Sequence, residues 1–287
     1  MTSIVPWIAG GLATLAAAGA AHALFIAPHD LRVTRIDVPV RGLGSAFDGY
    51  TIAALADLHH WPSASRRMLD RAIAAANAAR PDMIVLLGDY SVSMRTVRAF
   101  NRSWYERAMA AMTPALSMLR APDGVYAVLG NHDHYYDPAV VTAWLREAGA
   151  RPLINECATL RRGDDALVLC GVDDALQGQI DLDGACIEAP EAPTVVLSHN
   201  PDGVLQLGDR RRVDLVLSGH THGGQYVLPG VGPLTTHSQV CTRATPAGWV
   251  PNERAPLYVS RGVGVQMPGR IGCPPEVVVV RLVPSRQ

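Results

Sequence analysis

Five short apolar runs in this chain each end at side chains that bind metal ions. The first run, residues 51–56, leads directly into an aspartate, and the other four lead into aspartate, asparagine or histidine. Aliphatic and β-branched runs of this length are typical of buried strands. In α/β sheets, ligands bind in the crevice at the carboxyl ends of the strands. The pattern therefore predicts one site built from five strand ends, which carry Asp57-Leu58-His59, Gly88-Asp89, Gly130-Asn131-His132-Asp133, His199 and Gly219-His220-Thr221-His222.

Helical segments alternate with these strands. Residues 65–79 carry apolar side chains at the spacing of one helix face, and they separate the first two ligand-bearing strands. A strand–helix–strand unit places its two strands parallel in one sheet. The chain is therefore predicted to be an α/β protein, with further helices over 97–119 and 138–148, strands over 32–40, 159–172, 257–260 and 276–282, and Gly- and Pro-rich loops over much of 228–275.

The polar residues at the strand ends form a mixed nitrogen and oxygen ligand set. A carboxylate can bridge two divalent ions, while neutral imidazoles and an amide oxygen fill other positions without adding negative charge. Calcium would require more oxygen ligands. The sequence therefore predicts two divalent metal ions (Mn, Fe or Zn), with the ligands Asp57, His59, Asp89, Asn131, His199, His220 and His222.

Taken in this order, the motifs resemble the calcineurin-like metallophosphoesterase superfamily, and the resemblance covers residues 51–282. Further segments, among them residues 223–225, 228–234, 258–262 and 274–277, resemble its bacterial membrane-associated branch with an N-terminal anchor. The resemblance implies a four-layer α/β/β/α sandwich of two mixed sheets.

The resemblance also implies a role for each site residue. A hydroxide shared by the two ions would attack phosphorus, His132 would protonate the leaving group, and Asp133 would orient its ring. One ion would be held by Asp57, His59, Asp89 and His222, and the other by Asp89, Asn131, His199 and His220, so that Asp89 bridges.

Two arginines in the Gly- and Pro-rich region are candidates for substrate binding. Arg261 and Arg270 follow the last metal motif, and a guanidinium group matches phosphate oxygens with two hydrogen bonds. A simple role in surface solubility is an equally good interpretation of each.

The N-terminal segment is predicted to be a membrane anchor. Residues 4–27 contain no Asp, Glu, Lys or Arg, and as a helix they would span about 36 Å, enough for a hydrocarbon core of about 30 Å. A cleaved signal peptide is the alternative, although no basic residue precedes the run. The chain thus divides into an anchor, residues 1–30, and a catalytic domain, residues 31–287. The charges of Asp30, Arg32 and Arg35 favour a single-pass protein of the bacterial cell membrane with its domain on the cytoplasmic side.

Charge and cysteine content argue against two classes of protein, those that bind nucleic acid and those built on disulfide bonds. The formal net charge is −1 without long runs of like charge, so nucleic acid is not an expected partner. The five cysteines are odd in number and scattered, which favours buried free thiols over a disulfide framework.

The predicted function is a membrane-anchored phosphohydrolase that cleaves phosphomonoesters or phosphodiesters with two metal ions. An alternative suggested by the same resemblance is a hydrolase of lipid-linked pyrophosphates such as UDP-diacylglucosamine. A non-catalytic scaffold of the same fold is a more distant alternative, and it would show gaps among the ligands, whereas all seven are present. The native metals and the oligomeric state are not predicted by the sequence.

Overall fold

Two mixed six-stranded sheets lie face to face in the computed structural model, which describes residues 5–60, 66–90, 98–182, 189–208 and 212–285. A short hairpin, β10 (Val227–Leu228) and β11 (Gly232–Pro233), lies apart from both sheets. The first sheet has the order β1 (Arg32–Val40), β14 (Glu276–Pro284), β2 (Thr51–Leu55), β3 (Met83–Leu86), β4 (Val125–Ala127) and β5 (Arg151–Pro152). The second has the order β12 (Gly248–Val250), β13 (Leu257–Val259), β9 (Leu215–Ser218), β8 (Thr194–Leu197), β7 (Asp165–Gly171) and β6 (Glu156–Arg162).

The strands that precede the candidate ligands are parallel within each sheet. β2, β3 and β4 are parallel neighbours in the first sheet, and β8 and β9 are parallel neighbours in the second. Apolar side chains from both sheets meet in one core, where Ile52 and Val85 pack in the same cluster as Leu197 and Leu217. This core holds the sheets together, so that the carboxyl ends of the five strands can form one site.

The last strand takes a central position. β14 is inserted between β1, to which it is parallel, and β2, to which it is antiparallel. Val278 and Val280 face the core between the sheets, whereas Val277 faces the helices. Burial on both faces explains the continuous apolar run of this strand.

Helices cover the outer face of the first sheet. The α-helices are α1 (Val5–Phe25), α2 (Arg66–Ala78), α3 (Arg98–Leu116), α4 (Asn131–Tyr136) and α5 (Pro138–Glu147). Asp137 caps α5 by accepting hydrogen bonds from the amides of Ala139 and Val140. The predicted face of α2 is confirmed, because its buried residues are Met68, Leu69, Ala72, Ile73 and Ala76.

The outer face of the second sheet differs from the expected fourth layer. Across the described residues, Val196 and Val216 of this face pack against a 3-10 helix, Pro201–Gln206, and against loop residues that include Cys241 and Ala255. The expected helical layer is therefore replaced here by a 3-10 turn and loops, since the segments that follow β8 and β9 are too rich in Gly and Pro for long helices.

The N-terminal helix α1 touches the catalytic domain at its C-terminal end. Ala23 is buried, and its carbonyl oxygen accepts a hydrogen bond of 2.9 Å from the amide of Arg270. Leu15 and Phe25 are 71% and 72% exposed. Among the described residues, no helix combines the length and the apolar character needed to cross a membrane.

A disulfide bond joins the edge strand of the second sheet to its neighbour. Cys157 on β6 is bonded to Cys170 on β7, and the two residues are direct partners in the antiparallel register. The prediction of free thiols is therefore wrong for these two residues, because the spacing of the cysteines alone does not show that they face each other across a hairpin. Cys241 and Cys273 are buried free thiols as predicted, and Cys186 lies outside the described residues.

The disulfide should stabilise the second sheet measurably. Replacing both Cys157 and Cys170 with serine should lower the free energy of unfolding by about 2–4 kcal/mol, since a loop of this length is constrained in the unfolded chain. Denaturant unfolding of both proteins checks this. Under strong reductant the two proteins should have similar stability, and a difference that persists there would contradict the explanation.

Candidate metal centre

The turns that follow the five strands are hydrogen-bonded to one another. In the first sheet, the amide of Asp57 donates to Gly88 O at 3.0 Å, and the amide of His59 donates to Asp89 O at 3.0 Å. In the second sheet, the amide of Gly219 donates to His199 O at 2.9 Å. These bonds extend the ladders past the strand ends, so the ligand-bearing turns are as ordered as the strands.

Most of the candidate ligands have an unusual backbone conformation. Nine non-glycine residues of the described chain have positive φ angles, and five of them are candidate ligands. A left-handed conformation costs roughly 1–2 kcal/mol for such residues. It persists where surrounding bonds enforce it, and here it turns the side chain out of the strand direction and into the centre. The five are Asp57, His59, Asp89, His220 and His222, with φ between 38° and 71°.

Two glycines allow the turns to approach the carboxylates. A Cβ atom on Gly219 would lie 2.5 Å from Asp57 Oδ2, and one on Gly130 would overlap Asp89 Oδ1. Side chains at these positions would push the carboxylates out of place. The glycines in Gly219-His220 and Gly130-Asn131 are therefore required by close packing against ligands.

One group of ligands lies around Asp57. The Nε2 atoms of His59 and His222 are 3.0 Å apart, and His222 Nε2 is 3.6 Å from Asp57 Oδ1. All three side chains are buried. Three ligand atoms that point at one another over such distances could hold a metal ion.

A second group lies around Asp89. His199 Nε2 is 3.3 Å from Asp89 Oδ2 and 3.3 Å from His220 Nδ1. Asp89 Oδ2 is also 3.6 Å from His59 Nε2 in the first group. One oxygen atom of Asp89 thus faces both groups, which is the position that a bridging carboxylate requires.

Hydrogen bonds to the backbone leave one nitrogen of each imidazole in the second group available as a ligand. His199 Nδ1 lies 2.7 Å from Leu87 O, and His220 Nε2 lies 3.1 Å from His237 O. Each carbonyl accepts from the N–H of the ring, so the lone pair is on His199 Nε2 and on His220 Nδ1. These two atoms are the ones that face Asp89.

Asn131 offers a further ligand atom. Its side chain is 5% exposed, and its Oδ1 has no hydrogen-bond partner among the described residues. A buried amide oxygen without a donor is costly unless it binds a cation. Asn131 therefore fits the ligand set predicted from the sequence.

The electrostatics of the site favour bound cations. Burial raises the pKa of Asp57 to about 7. Burial also opposes the ionisation of Asp89, but the neighbouring histidines, above all His199, outweigh it and hold the pKa of Asp89 well below its usual value. Burial lowers the pKa of His220 to about 3 and that of His222 well below its usual value. Against the effect of burial, the Asp89 carboxylate holds the pKa of His199 well above its usual value, so Asp89 is stabilised by positive charge, which a bound divalent ion would also supply.

His132 lies beside both groups at the edge of the centre. Its Nε2 atom is 4.0 Å from Asp89 Oδ2, and its side chain is 7% exposed. The amide nitrogen of Gln266 lies 2.9 Å from the same Nε2 atom. His132 therefore combines proximity to the ligands with access to a polar loop residue.

Asp133 has a different role from the one expected. Its Oδ2 accepts hydrogen bonds from the amides of Asp89 at 2.9 Å and Gly130 at 2.8 Å. Its Oδ1 accepts from the amide of Tyr90 at 3.1 Å and from the hydroxyl of Tyr105 at 3.2 Å. These bonds tie the turn after β3 to the turn after β4. Asp133 thus positions Asp89 rather than the ring of His132.

Two residues near the centre were not identified from the sequence. Gln266 reaches His132 from an exposed loop, and only its place in the Gly- and Pro-rich region after the last motif could have indicated it. Cys273 donates from its Sγ to the carbonyl oxygen of His222 at 3.0 Å and so supports that turn. A cysteine between Gly272 and Pro274 is a weak signal in the sequence alone.

Comparison with known proteins agrees with this geometry. The family model described as calcineurin-like phosphoesterase matches residues 50–224. The metallophosphoesterase YkuE of Bacillus subtilis (strain 168) is 31% identical over 281 residues, which are 96% of this chain and 93% of that protein. The phosphodiesterase YaeI of Escherichia coli (strain K12) is 30% identical over 82% of each chain.

The chain belongs to the calcineurin-like phosphoesterase family. It is a metal-dependent phosphoesterase. A transmembrane protein with metallophosphoesterase domain from Bos taurus is 29% identical over 85% of this chain, which spans only 55% of that relative. Among solved structures, a dimetal phosphatase from Danio rerio aligns with 75% of this chain and 88% of its own, at 14% identity and a TM-score of 0.44.

Arg270 does not take the place expected for a substrate-binding group, whereas the side chain of Arg261 is 35% exposed. Arg270 is 0% exposed, and its guanidinium group donates to the carbonyl oxygens of Arg261, Gly262, Gly264 and Cys273. The side chain of Arg261 pairs with the buried carboxylate of Glu276 at 3.0 Å. Both guanidinium groups are thus engaged within the protein, and Arg270 braces the loop that packs against Asp57.

Replacing Arg270 with methionine should therefore destabilise this phosphoesterase. Four carbonyl oxygens would lose a buried donor, so the free energy of unfolding should fall by about 3–5 kcal/mol. The control Arg161→Met, on the exposed edge of β6, should change it by less than about 1 kcal/mol. Denaturant unfolding checks both variants. Unchanged stability of Arg270→Met together with a raised KM would restore the substrate-binding interpretation.

Proposed function

We propose that this phosphoesterase hydrolyses phosphomonoesters or phosphodiesters with two divalent metal ions bound at the strand ends. The observation that carries the proposal is the position of Asp89 Oδ2, which faces His59 in one ligand group and His199 in the other. A carboxylate shared between two groups of imidazoles suits a pair of ions. The ions would be Mn, Fe or Zn, because the donor set mixes nitrogen and oxygen.

Asp57, His59, Asp89 and His222 would hold one ion, and Asp89, Asn131, His199 and His220 would hold the other. When bound, such ions neutralise the charge of a phosphate group and lower the pKa of a water molecule. The chain itself fixes where the phosphate group can bind, because its ligand turns are braced by Asp133 on one side and by the Arg270 loop on the other.

His132 is the group that would donate a proton to the leaving oxygen. Its Nε2 atom lies 4.0 Å from Asp89 Oδ2 and has a polar contact of 2.9 Å with the side chain of Gln266. The amide of Gln266 can donate to a neutral ring or, turned by half a rotation, accept from a protonated one. A proton at Nε2 would thus be held next to the place where the leaving group departs.

Two substitutions separate the ligand role from the acid role. Asp89→Asn should bind less metal and lose activity together, because a neutral amide cannot bridge two ions. His132→Ala should keep both ions and lose turnover by about 10²–10⁴-fold with a poor leaving group, and by less with nitrophenolate, which needs no proton. Metal content by elemental analysis and hydrolysis of a phosphodiester series with added Mn²⁺ measure both effects.

The wild-type protein provides the reference for these measurements. Chelation should abolish its activity, and re-added Mn²⁺ should restore it. Normal turnover of a poor-leaving-group substrate by His132→Ala with both ions bound would exclude the acid role. Failure of the wild type to hydrolyse any phosphoester or nucleotide-linked lipid with Mn, Fe or Zn would contradict the proposed function itself.

We also propose that residues 4–27 attach the enzyme to a membrane. The stretch contains no Asp, Glu, Lys or Arg. Leu15 and Phe25 of α1 are 71% and 72% exposed, and Ile26, which follows the helix, is 58% exposed. Large apolar side chains that are exposed on one segment favour an apolar environment such as a membrane. The Cys157–Cys170 disulfide supports a catalytic domain on the oxidising side of the membrane, opposite to the side that the flanking charges favour.

Cell fractionation and protease access check this arrangement. The full chain should sediment with membranes, and a chain that begins at residue 31 should not. Protease added to spheroplasts, whose cytoplasmic membrane is intact, should cleave the catalytic domain of the full-length protein. Recovery of the full chain in the soluble fraction would contradict the attachment, and protection from protease would reverse the orientation.

A further inference from the structure

A loop outside the ligand motifs contacts the second ligand group. The carbonyl oxygen of His237 lies 3.1 Å from Nε2 of His220, and this contact places the lone pair of His220 on Nδ1. His237 has a φ of 52°, a left-handed conformation that a non-glycine residue adopts only when other contacts enforce it. The position of this carbonyl therefore depends on what holds the loop.

The carboxylate of Asp202 holds the residues that follow His237. It accepts hydrogen bonds from the hydroxyl of Ser238 at 2.6 Å, from the amide of Gln239 at 2.8 Å and from the amide of Val240 at 3.1 Å. Asp202 is 6% exposed, so these bonds replace the water that a carboxylate would otherwise bind. Three consecutive residues are thus fastened to one buried side chain.

Asp202 is connected to the other histidine of the same ligand group. It lies three residues after His199, in the 3-10 helix Pro201–Gln206. Its amide donates to Oδ1 of Asn200 at 2.8 Å, which fixes the turn between His199 and Asp202. Asp202 is therefore connected to His199 along the chain and to His220 through the loop that its carboxylate holds.

We infer that Asp202 is a positioning residue that holds His220 in the ligand geometry of the second metal ion through the carbonyl of His237. This inference rests on the two-ion centre proposed above. The loop contacts His220, which belongs to the second ligand group, so the effect of Asp202 is expected at the ion that this group would hold.

Metal binding by the full chain tests the inference. Wild-type protein should bind two Mn²⁺ ions in equilibrium dialysis. Asp202→Ala should bind the first ion with unchanged affinity and the second about 10–100-fold more weakly, as is typical when a partner of a ligating histidine is lost. The electron paramagnetic resonance spectrum should change accordingly, from a coupled pair of Mn²⁺ ions to isolated ions.

Further variants separate this role from a general contribution to folding. Asp202→Asn keeps one acceptor oxygen and should weaken the second ion less than alanine does, and Ser238→Ala, which removes one of the three bonds, should behave similarly. Asp214→Ala is a matched control, because the buried carboxylate of Asp214 also accepts from a backbone amide, that of Thr194 at the start of β8, which is the end of the strand opposite to the centre. It should leave both metal affinities unchanged.

Each outcome has a distinct meaning. Unchanged affinity for both ions in Asp202→Ala and Asp202→Asn would overturn the inference. Equal loss of both ions together with a lower melting temperature, in the asparagine variant as well, would overturn it too and mark Asp202 as a brace of the whole fold. Binding of fewer than two ions by the wild type would instead contradict the two-ion centre, whatever Asp202 does.

Discussion

The carboxylate of Asp133 joins the two turns on which the centre depends. It accepts from the amides of Asp89, Tyr90 and Gly130, so it fixes the backbone that carries the shared ligand. A buried carboxylate with several N–H donors is a strong and directional connection. The left-handed conformation of Asp89 is stable because these bonds enforce it. The position of Asp89 thus depends on Asp133 in the next turn.

The second sheet completes the centre from the opposite side. His199 and His220 follow β8 and β9, and their unused nitrogens are bonded to carbonyl oxygens of Leu87 and His237. Leu87 directly follows β3 of the first sheet, so a histidine that follows a strand of the second sheet is aligned by a residue of the first. The loops beyond β9 complete the surroundings of the centre. There the guanidinium group of Arg270 donates to carbonyl oxygens of its own loop near Asp57. The site is therefore a property of the packed sandwich and not of either sheet.

Local periodicity made much of the fold predictable. The strand over 32–40 and the helix around 65–79 agree with the structure, because a strand or an amphipathic helix is encoded by the spacing of apolar residues over a few turns. The disulfide between Cys157 and Cys170 was not predictable, because it depends on the register of β6 against β7. The buried position of the Arg270 guanidinium group was not predicted for a related reason. An arginine close in sequence to a predicted phosphate site is expected to bind substrate until its hydrogen-bond partners are known.

The sequence by itself determined which residues stand at the ends of the strands, because each apolar run and its polar end are encoded within a few residues. Only the tertiary structure decided how these ends share their atoms. His59 and His222 are 163 positions apart, yet their Nε2 atoms lie 3.0 Å from each other. Such contacts depend on sheet order, on the packing between sheets and on turns with positive φ, and these are long-range properties that no local pattern specifies. The roles of Asp133 and Arg270, and the role inferred for Asp202, also depend on the tertiary structure. Each of these residues acts through partners that only folding brings within reach.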